Sequence, residues 1–156
     1  MAVDLYRIYE EGFDVRKLSA SQKKGFKSHG LKQFSPAAAI ILHFITFGIF
    51  TWIYYGLQHG RLPKAHPKDF GSAAAILLML VPFFNLYWIF MFWLKLADRV
   101  NFQLKLRNKH PSVERGLVLA ACIVGIIPYV NIFSWLILYP VCIGIIQSAI
   151  NDIARS

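Results

Sequence analysis

Three long apolar runs, separated by polar and basic segments, dominate the chain. Residues 36–57 and 73–94 form runs of 22 residues each without a formal charge, and residues 116–150 form a third run of 35. About 20 apolar residues in a helix cross the ~30 Å of hydrocarbon in a bilayer. The pattern therefore predicts an all-α, polytopic membrane protein with about three kinked transmembrane helices and a degenerate internal repeat.

The third run is too long for one simple span and short for two spans with a turn. Pro128 and Pro140 interrupt it, and proline breaks or kinks a helix. We expect one crossing over 117–139, followed by a C-terminal helix over 140–155 near the interface. The alternative is a tight re-entrant hairpin that turns at residues 128–131.

The ends of the other elements carry clearer signals. Pro36 is typical of a helix start, so the first span is expected over 36–57. The second span, 73–94, is expected to continue past the membrane surface to about Arg107, where His110-Pro111 ends it. Residues 1–35 form a basic segment before the membrane domain, 36–156. Within it, residues 19–34 are either a short interfacial helix or a solvated tail.

Charge is segregated between the apolar runs. The chain has 17 Lys and Arg and a net charge of +9. Seven of these cations lie in 1–35, six in 95–115, three in 58–72 and one after residue 150. The positive-inside rule then places the N-terminus and the 95–115 connector in the cytoplasm.

Cations that flank apolar runs favour anionic lipid over nucleic acid as the partner, because they form no continuous basic stripe. Six of them are the predicted headgroup contacts. They are Lys23, Lys24, Lys27, Lys32, Lys105 and Arg107.

A short motif recurs near the middle of the runs. Pro-x-x-Asn, followed by an aliphatic and an aromatic residue, begins at Pro82 and again at Pro128, and the first run has Thr-x-Gly-Ile-aromatic in its place. Proline leaves a backbone carbonyl unpaired, and a side-chain amide can satisfy it in hydrocarbon. The sequence predicts a kinked, mildly polar layer at mid-membrane. Its members are His43, Thr46, Gly48, Pro82, Asn85, Pro128 and Asn131.

Candidate chemistry is sparse. We find no glycine-rich phosphate loop, HExxH or CxxC motif, and the carboxylates are scattered through polar segments. His43 is the one histidine within a predicted span, so a haem with two histidine ligands lacks its second ligand at that depth. The sequence therefore predicts no enzyme, no cofactor and no metal site.

Three stretches resemble a group of small bacterial membrane proteins known only as a domain of unknown function. They are Leu42-His43-Phe44-Ile45-Thr46-x-Gly48-Ile49-Phe50, His59-Gly60-x-Leu62-Pro63 and Pro82-Phe83-Phe84-Asn85-Leu86-Tyr87-Trp88. The resemblance covers roughly residues 25–154. It implies a protein of the bacterial inner membrane and carries no activity with it.

Three classes of function follow. The first is an accessory or scaffolding membrane protein that packs on a partner or on copies of itself. The second is a small channel or transporter component that uses the polar layer as its lining. The third, least favoured, is a membrane enzyme acting through Asp98, Arg99 and Asn101 at the cytoplasmic face.

Overall fold

A computed structural model describes residues 18–64 and 69–156. This part of the chain is helical and contains no strand. Its helices are α1 (Ala20–Lys27), α2 (Pro36–Ile45), α3 (Ile49–Arg61), α4 (Ser72–Leu77), α5 (Phe84–Leu106), α6 (Arg115–Ile126) and α7 (Asn131–Ala154). The last of these includes a π-helical segment, Ser134–Leu138. The all-α prediction is confirmed for these residues.

Local sequence explains where several helices begin and end. Ser19 caps α1 in a reciprocal box with Gln22. Ser35 caps α2, and Pro36 takes the first helical position as predicted. The second apolar run continues as a helix to Leu106, which confirms the extension to about Arg107. Asn108, with φ of 56°, closes it in the left-handed conformation common after helix ends.

Each apolar run contains a break, so the prediction of one kinked helix per run is wrong. The first run separates into α2 and α3 at residues 46–48. The second separates into α4 and α5 through a 3-10 turn, Leu78–Leu80, and the residues after it. The third separates into α6 and α7 at residues 127–130. A left-handed residue in each break turns the backbone back, where a proline kink alone would have left the direction of the helix roughly unchanged.

The paired helices form three hairpins, which we call hairpin A (α2–α3), hairpin B (α4–α5) and hairpin C (α6–α7). In hairpin B the indole N–H of Trp88 donates to the carbonyl of Ala75 at 3.3 Å. In hairpin C the hydroxyl of Ser134 donates to the carbonyl of Ala121 at 2.6 Å. The third run therefore forms a helical hairpin that turns near 128–131, as in the alternative, and not one continuous helix over 117–139. Whether this hairpin enters a membrane stays a prediction.

The polar links all meet at one end of the molecule, which we call the polar end. The amide of Gly30, before α2, donates to the carbonyl of Arg61, after α3, at 2.9 Å. The side-chain amide of Asn151 donates to the carbonyl of Phe34 at 2.7 Å. Lys109 donates to the carbonyl of Asp152 at 2.8 Å. The predicted topology put the first link across the bilayer from the N-terminal segment, and these contacts contradict it.

The length of the helices also bears on the predicted spans. Within the described residues only α7 is long and apolar enough to cross a membrane, with 24 residues and a mean hydropathy of 1.8 in its most apolar window. Length and composition alone support this, and a core helix of a water-soluble protein meets the same test. Since α2 has 10 residues and α6 has 12, they extend only about 15–18 Å. Three separate crossings are not confirmed.

The helix α1 packs on the polar end of α5. The rings of Phe26 and Phe102 lie edge to face with centroids 5.4 Å apart, and Gln103 donates to the carbonyl of Phe26 at 2.7 Å. Between the two possibilities for residues 19–34, a short helix is therefore correct for Ala20–Lys27. Its contact with lipid stays a prediction.

Candidate functional surface and buried polar cluster

The turns of the three hairpins meet at the end of the molecule opposite the links, which we call the apolar end. Phe47 of hairpin A stacks on Trp135 of hairpin C with ring centroids 6.2 Å apart. Met79 and Ile89 of hairpin B line the same pocket as these two residues. One end of the fold therefore carries all the turns and the other carries all the polar links that the structure describes.

A bulky aromatic residue stands at the tip of each turn. Phe47, Phe83 and Tyr129 are 80%, 86% and 96% exposed. All three have positive φ, at 51°, 62° and 66°, a conformation unfavourable by roughly 1–2 kcal/mol for a residue with a Cβ. The backbone is thus strained at the same three positions where large apolar side chains extend outward. Strain kept at such positions often marks a functional constraint.

The exposed apolar surface continues from these tips along the hairpins. The large exposed hydrophobic residues of the described chain all lie in 41–57, 77–87 and 123–141. Monomeric proteins in water rarely expose contiguous apolar patches of more than a few hundred Å². The apolar end is therefore suited to contact with lipid chains or with another apolar surface.

The turns of hairpins B and C share their backbone hydrogen bonding. The amide of Asn85 donates to the carbonyl of Val81 at 3.0 Å, and the amide of Asn131 donates to the carbonyl of Ile127 at 2.9 Å. In both, the accepting residue directly precedes the proline. The Pro-x-x-Asn motif is thus a turn at a hairpin tip, and its two prolines do not kink continuous helices. Whether the runs are true repeats stays a prediction.

The predicted polar layer does not form one layer. Asn131 is exposed at the apolar end, and Asn85 is half-buried there. The hydroxyl of Thr46 bridges the break in hairpin A, since it donates to the carbonyl of Leu42 at 2.6 Å and accepts from the amide of Phe50 at 2.9 Å. Gly48, with φ of 87°, completes that turn.

His43 joins hairpins A and C. It is 3% exposed, with Nδ1 at 2.9 Å from the hydroxyl of Thr51 and Nε2 at 3.2 Å from the carbonyl of Trp135. Both ring nitrogens are engaged within the fold. This geometry gives His43 a structural role, since it links α2 to α3 and to α7.

The polar end contains a buried cluster that sequence reasoning missed. Arg99, which the enzyme hypothesis placed at the cytoplasmic face, is 1% exposed. Its guanidinium donates to the carbonyls of Leu62, Pro63 and Phe70, the last two at 3.2 and 3.1 Å. Its Nε also lies 4.0 Å from Oδ2 of Asp69, and Oδ1 of the same carboxylate lies 3.6 Å from Nζ of Lys95. Arg99 thus holds both ends of the link between hairpins A and B.

His59 completes this cluster. Because Arg99 only donates, Nδ1 of His59 accepts from it at 3.3 Å, and Nε2 then donates to the carbonyl of Phe92 at 3.0 Å. Burial, reinforced by the neighbouring guanidinium charge, lowers the pKa of His59 to about 3. The imidazole therefore stays neutral at physiological pH and acts as a hydrogen-bonding spacer between α3, α5 and Arg99.

Asp98, which precedes Arg99 on α5, is half-buried and pairs with Arg115 at 3.1 Å. Burial raises the pKa of Asp98 despite this partner. Asn101 exchanges two hydrogen bonds with the backbone of Val113, at 2.7 and 3.1 Å. The three residues of the enzyme hypothesis thus have separate partners: Arg99 fastens a link inside the fold, while the other two hold the connector after α5.

The predicted headgroup cations lie at the polar end. Lys24, Lys27, Lys32 and Lys105 are exposed, whereas Lys23 and Arg107 are half-buried. Arg107 is partly used by the fold, because it donates to the side chain of Gln103 at 2.6 Å and to the carbonyl of Lys27 at 3.2 Å. The exposed lysines form a basic border at the end opposite the aromatic tips.

No protein-family model, curated protein or solved structure matches this chain. The resemblance to small bacterial membrane proteins therefore stays a prediction, and the function has to be argued from the two ends of the molecule.

Proposed function

We propose that this chain is an integral membrane protein that enters one leaflet from one side, with its three hairpins in the acyl chains and its polar end among the headgroups. The observation that carries the proposal is the separation of the two ends. Three exposed aromatic tips lie at one end, and the exposed lysines and polar links lie at the other. A bilayer leaflet likewise changes from apolar acyl chains to charged headgroups over a similar distance.

Dimensions support one leaflet over a full crossing. The longer helices, α5 and α7, have 23 and 24 residues and continue to the polar end. The two helices of hairpin A and helix α6 of hairpin C have only 10 to 13 residues and extend roughly 15–20 Å, whereas the hydrocarbon core is about 30 Å thick. A hairpin of this length ends near the middle of the bilayer. Its turn is compact, and the Thr46 hydroxyl bonds show how backbone groups are satisfied there without water.

In this arrangement the protein is an accessory or scaffolding component of the bacterial inner membrane, with its polar end at the cytoplasmic surface. Exposed Lys24, Lys27, Lys32 and Lys105 would each contribute about 1 kcal/mol to binding anionic headgroups. The partner is then either a membrane protein or another copy of this chain, held at the surface of the leaflet.

A channel or transporter component, the second candidate, fits the geometry less well. Exposed Asn131 offers a polar group at the apolar end, as a pore lining would require. A pore nevertheless has to be lined across the full ~30 Å, and the helices of hairpin A, of 10 and 13 residues, extend over only part of that distance. If the accessory role is right and no pore is formed, Asn131→Leu should leave the phenotype of cells that carry the protein unchanged.

Labelling from the two sides of the membrane tests the proposal. Cys122 and Cys142, both buried, are first replaced by alanine, and single cysteines are then placed at Lys64, Lys105 and Tyr129. A membrane-impermeant maleimide is applied to intact spheroplasts and to inverted membrane vesicles. We expect Lys64→Cys and Lys105→Cys to react only in inverted vesicles, and Tyr129→Cys to react in neither.

Labelling after detergent solubilisation provides the control that every cysteine is reactive. The three-span arrangement makes the opposite prediction for one position, because it places residue 64 outside and residue 105 inside. Reaction of Lys64→Cys in spheroplasts would therefore overturn insertion from one side. Recovery of the folded protein in a detergent-free supernatant would overturn membrane residence altogether.

A further inference from the structure

An open groove of about 390 Å³ lies between hairpins B and C at the apolar end. It is lined by Ile89 of hairpin B and by Gly125, Asn131, Ile132, Trp135 and Tyr139 of hairpin C. Asn131 is exposed and brings a carboxamide to this apolar wall, whereas the hydroxyl of Tyr139 is buried and out of reach. A cavity of about 150 Å³ already accommodates benzene, so the groove has room for an aromatic side chain.

Tyr129, two residues before Asn131, stands beside this groove at the tip of hairpin C. It is 96% exposed, and its φ of 66° is one that a residue with a Cβ rarely adopts. Hairpin C therefore presents a protruding ring next to a recess that is large enough for one. Such a surface is complementary to itself, because a two-fold axis places the ring of each copy in the recess of the other.

The polar groups of the ring and the recess also complement each other. Within the described residues, neither the hydroxyl of Tyr129 nor the carboxamide of Asn131 has a hydrogen-bond partner. A polar group in hydrocarbon without a partner is unfavourable. An acyl chain in the groove would leave both groups unpaired, whereas a second copy supplies each with the other. This argument for a second copy rests on the proposed insertion into acyl chains.

We propose that two copies of this chain pair through hairpin C within one leaflet. The ring of Tyr129 enters the groove of the second copy, where its hydroxyl donates to the side-chain carbonyl of Asn131, and the reverse contact completes the pair. Each aromatic side chain buries about 150–250 Å² and covers a similar area of groove, so the two contacts bury roughly 600–1,000 Å² in total. Stable complexes in water bury about 1,200–2,000 Å². Pairing is therefore reversible and depends on the density of the protein in the membrane.

Energy transfer between labelled copies of the full chain in liposomes tests the proposal. Lys105→Cys, in the protein with Cys122 and Cys142 replaced by alanine, carries a donor or an acceptor dye at the polar end, away from the groove. We expect energy transfer above the level for randomly distributed chains, and a fall along a monomer–dimer curve as added lipid dilutes the protein. Unlabelled protein should compete for the pairing.

Two substitutions remove the contact from either side. Tyr129→Ala removes the ring, and Ile132→Trp fills the groove, so each should weaken pairing about tenfold or more. Both residues are exposed, and both variants should therefore fold. Tyr87→Ala is the matched control, because it removes another exposed tyrosine, one on hairpin B and outside the groove. It should pair as the unsubstituted protein does.

A double-mutant cycle isolates the hydrogen bond. Tyr129→Phe keeps the ring and loses the hydroxyl, so it should weaken pairing about three- to tenfold, the effect of two symmetric bonds within a membrane. In the Asn131→Leu background the same change should have no effect, because the acceptor is already absent. Asn131→Leu alone should weaken pairing to the same limited extent. The dimer then still forms at high density, in keeping with the unchanged phenotype expected of that variant.

Energy transfer at the random level would overturn the proposal and leave the groove to acyl chains. Pairing that persists in Tyr129→Ala or in Ile132→Trp would overturn it as well, since the copies would then meet through another surface. An equal effect of Tyr129→Phe in the two backgrounds would refute the assigned hydrogen bond. Failure of pairing leaves the labelling result on one-sided insertion standing, whereas protein that does not float with the liposomes would refute the insertion itself.

Discussion

The two ends of this molecule differ in what they bury and in what they expose. At the polar end, Arg99 and His59 are buried and bonded to carbonyls of α5 and of the link between hairpins A and B. At the apolar end, Phe83 and Tyr129 stand exposed on a strained backbone. The buried polar groups of the polar end find partners within the chain. The aromatic side chains of the apolar end are exposed and would be covered by contact with an apolar surface. Stability should therefore reside in the polar end and membrane affinity in the apolar end.

The largest expected effect is on the buried guanidinium. Arg99→Met should lower the free energy of unfolding by about 3–5 kcal/mol, because the carboxylate of Asp69 and the carbonyls of the link lose their shared partner. Thermal unfolding in detergent, followed by circular dichroism, measures this. Arg115→Met is the matched control: Arg115 is 58% exposed and its partner Asp98 22%, and an ion pair with one solvated partner should contribute no more than about 1 kcal/mol. Equal losses would show that the buried guanidinium of Arg99 contributes no more to stability than an ion pair with an exposed partner.

A smaller effect is expected from pH. The pKa of His59 is lowered from 6.5 to about 3, so the unfolded chain takes up a proton in that interval and the folded chain does not. The contribution of His59 to the free energy of unfolding is then largest above pH 6.5 and decreases as the pH falls towards 3. Between pH 6.5 and 5 the loss should be about 2 kcal/mol.

His59→Gln is the variant that assigns this loss. It should flatten the profile, and the difference between the two proteins is the quantity to compare, because burial also lowers the pKa of His29. A profile that is equally steep in His59→Gln would show that other groups carry the pH dependence.

The smallest expected effect concerns a hairpin tip, where stability in detergent and retention in liposomes should change in opposite directions. Phe83→Gly should raise the free energy of unfolding in detergent by about 1 kcal/mol, because glycine accepts a φ of 62° without strain. The same change should weaken retention in liposomes, since the protein loses an exposed phenyl group from the surface that it presents to the acyl chains. Flotation measures that retention.

Phe133→Gly provides the control for the tip. Phe133 is also exposed at the apolar end, but it has ordinary helical geometry, with φ of −65°. This variant should lose about 1 kcal/mol of stability together with some retention in liposomes. If Phe83→Gly were destabilised to the same extent, the left-handed conformation would not be a source of strain.

Sequence patterns predicted the helices better than their directions. The helix start at Pro36 and the extension of the second helix to about Arg107 followed from local chemistry. The reversals did not, because a run of 22 apolar residues has the same hydropathy whether it crosses a bilayer or folds back within it. The available signal was the pairing of a proline with an aromatic residue at Pro82 and Pro128, which marks a turn as readily as a kink.

The polar cluster could not be found from sequence for a different reason. Arg99 reads as one cation among six in a basic connector. Its burial depends on the link after α3 folding over α5, so that Leu62 and Phe70 bring their carbonyls to it. Such tertiary contacts leave no periodic pattern. The aromatic tips could not be found for a similar reason, because the positive φ of Phe83 and Tyr129 arises in the folded turns and leaves no periodic pattern.

The meeting of every described link at one end has a consequence for how the protein would be made. In the proposed arrangement no hydrophilic segment between the hairpins has to be carried through the bilayer, since only compact turns such as Thr46-Phe47-Gly48 enter it. Each hairpin could then enter from the side of the ribosome as a folded unit, without a translocation step for a charged loop.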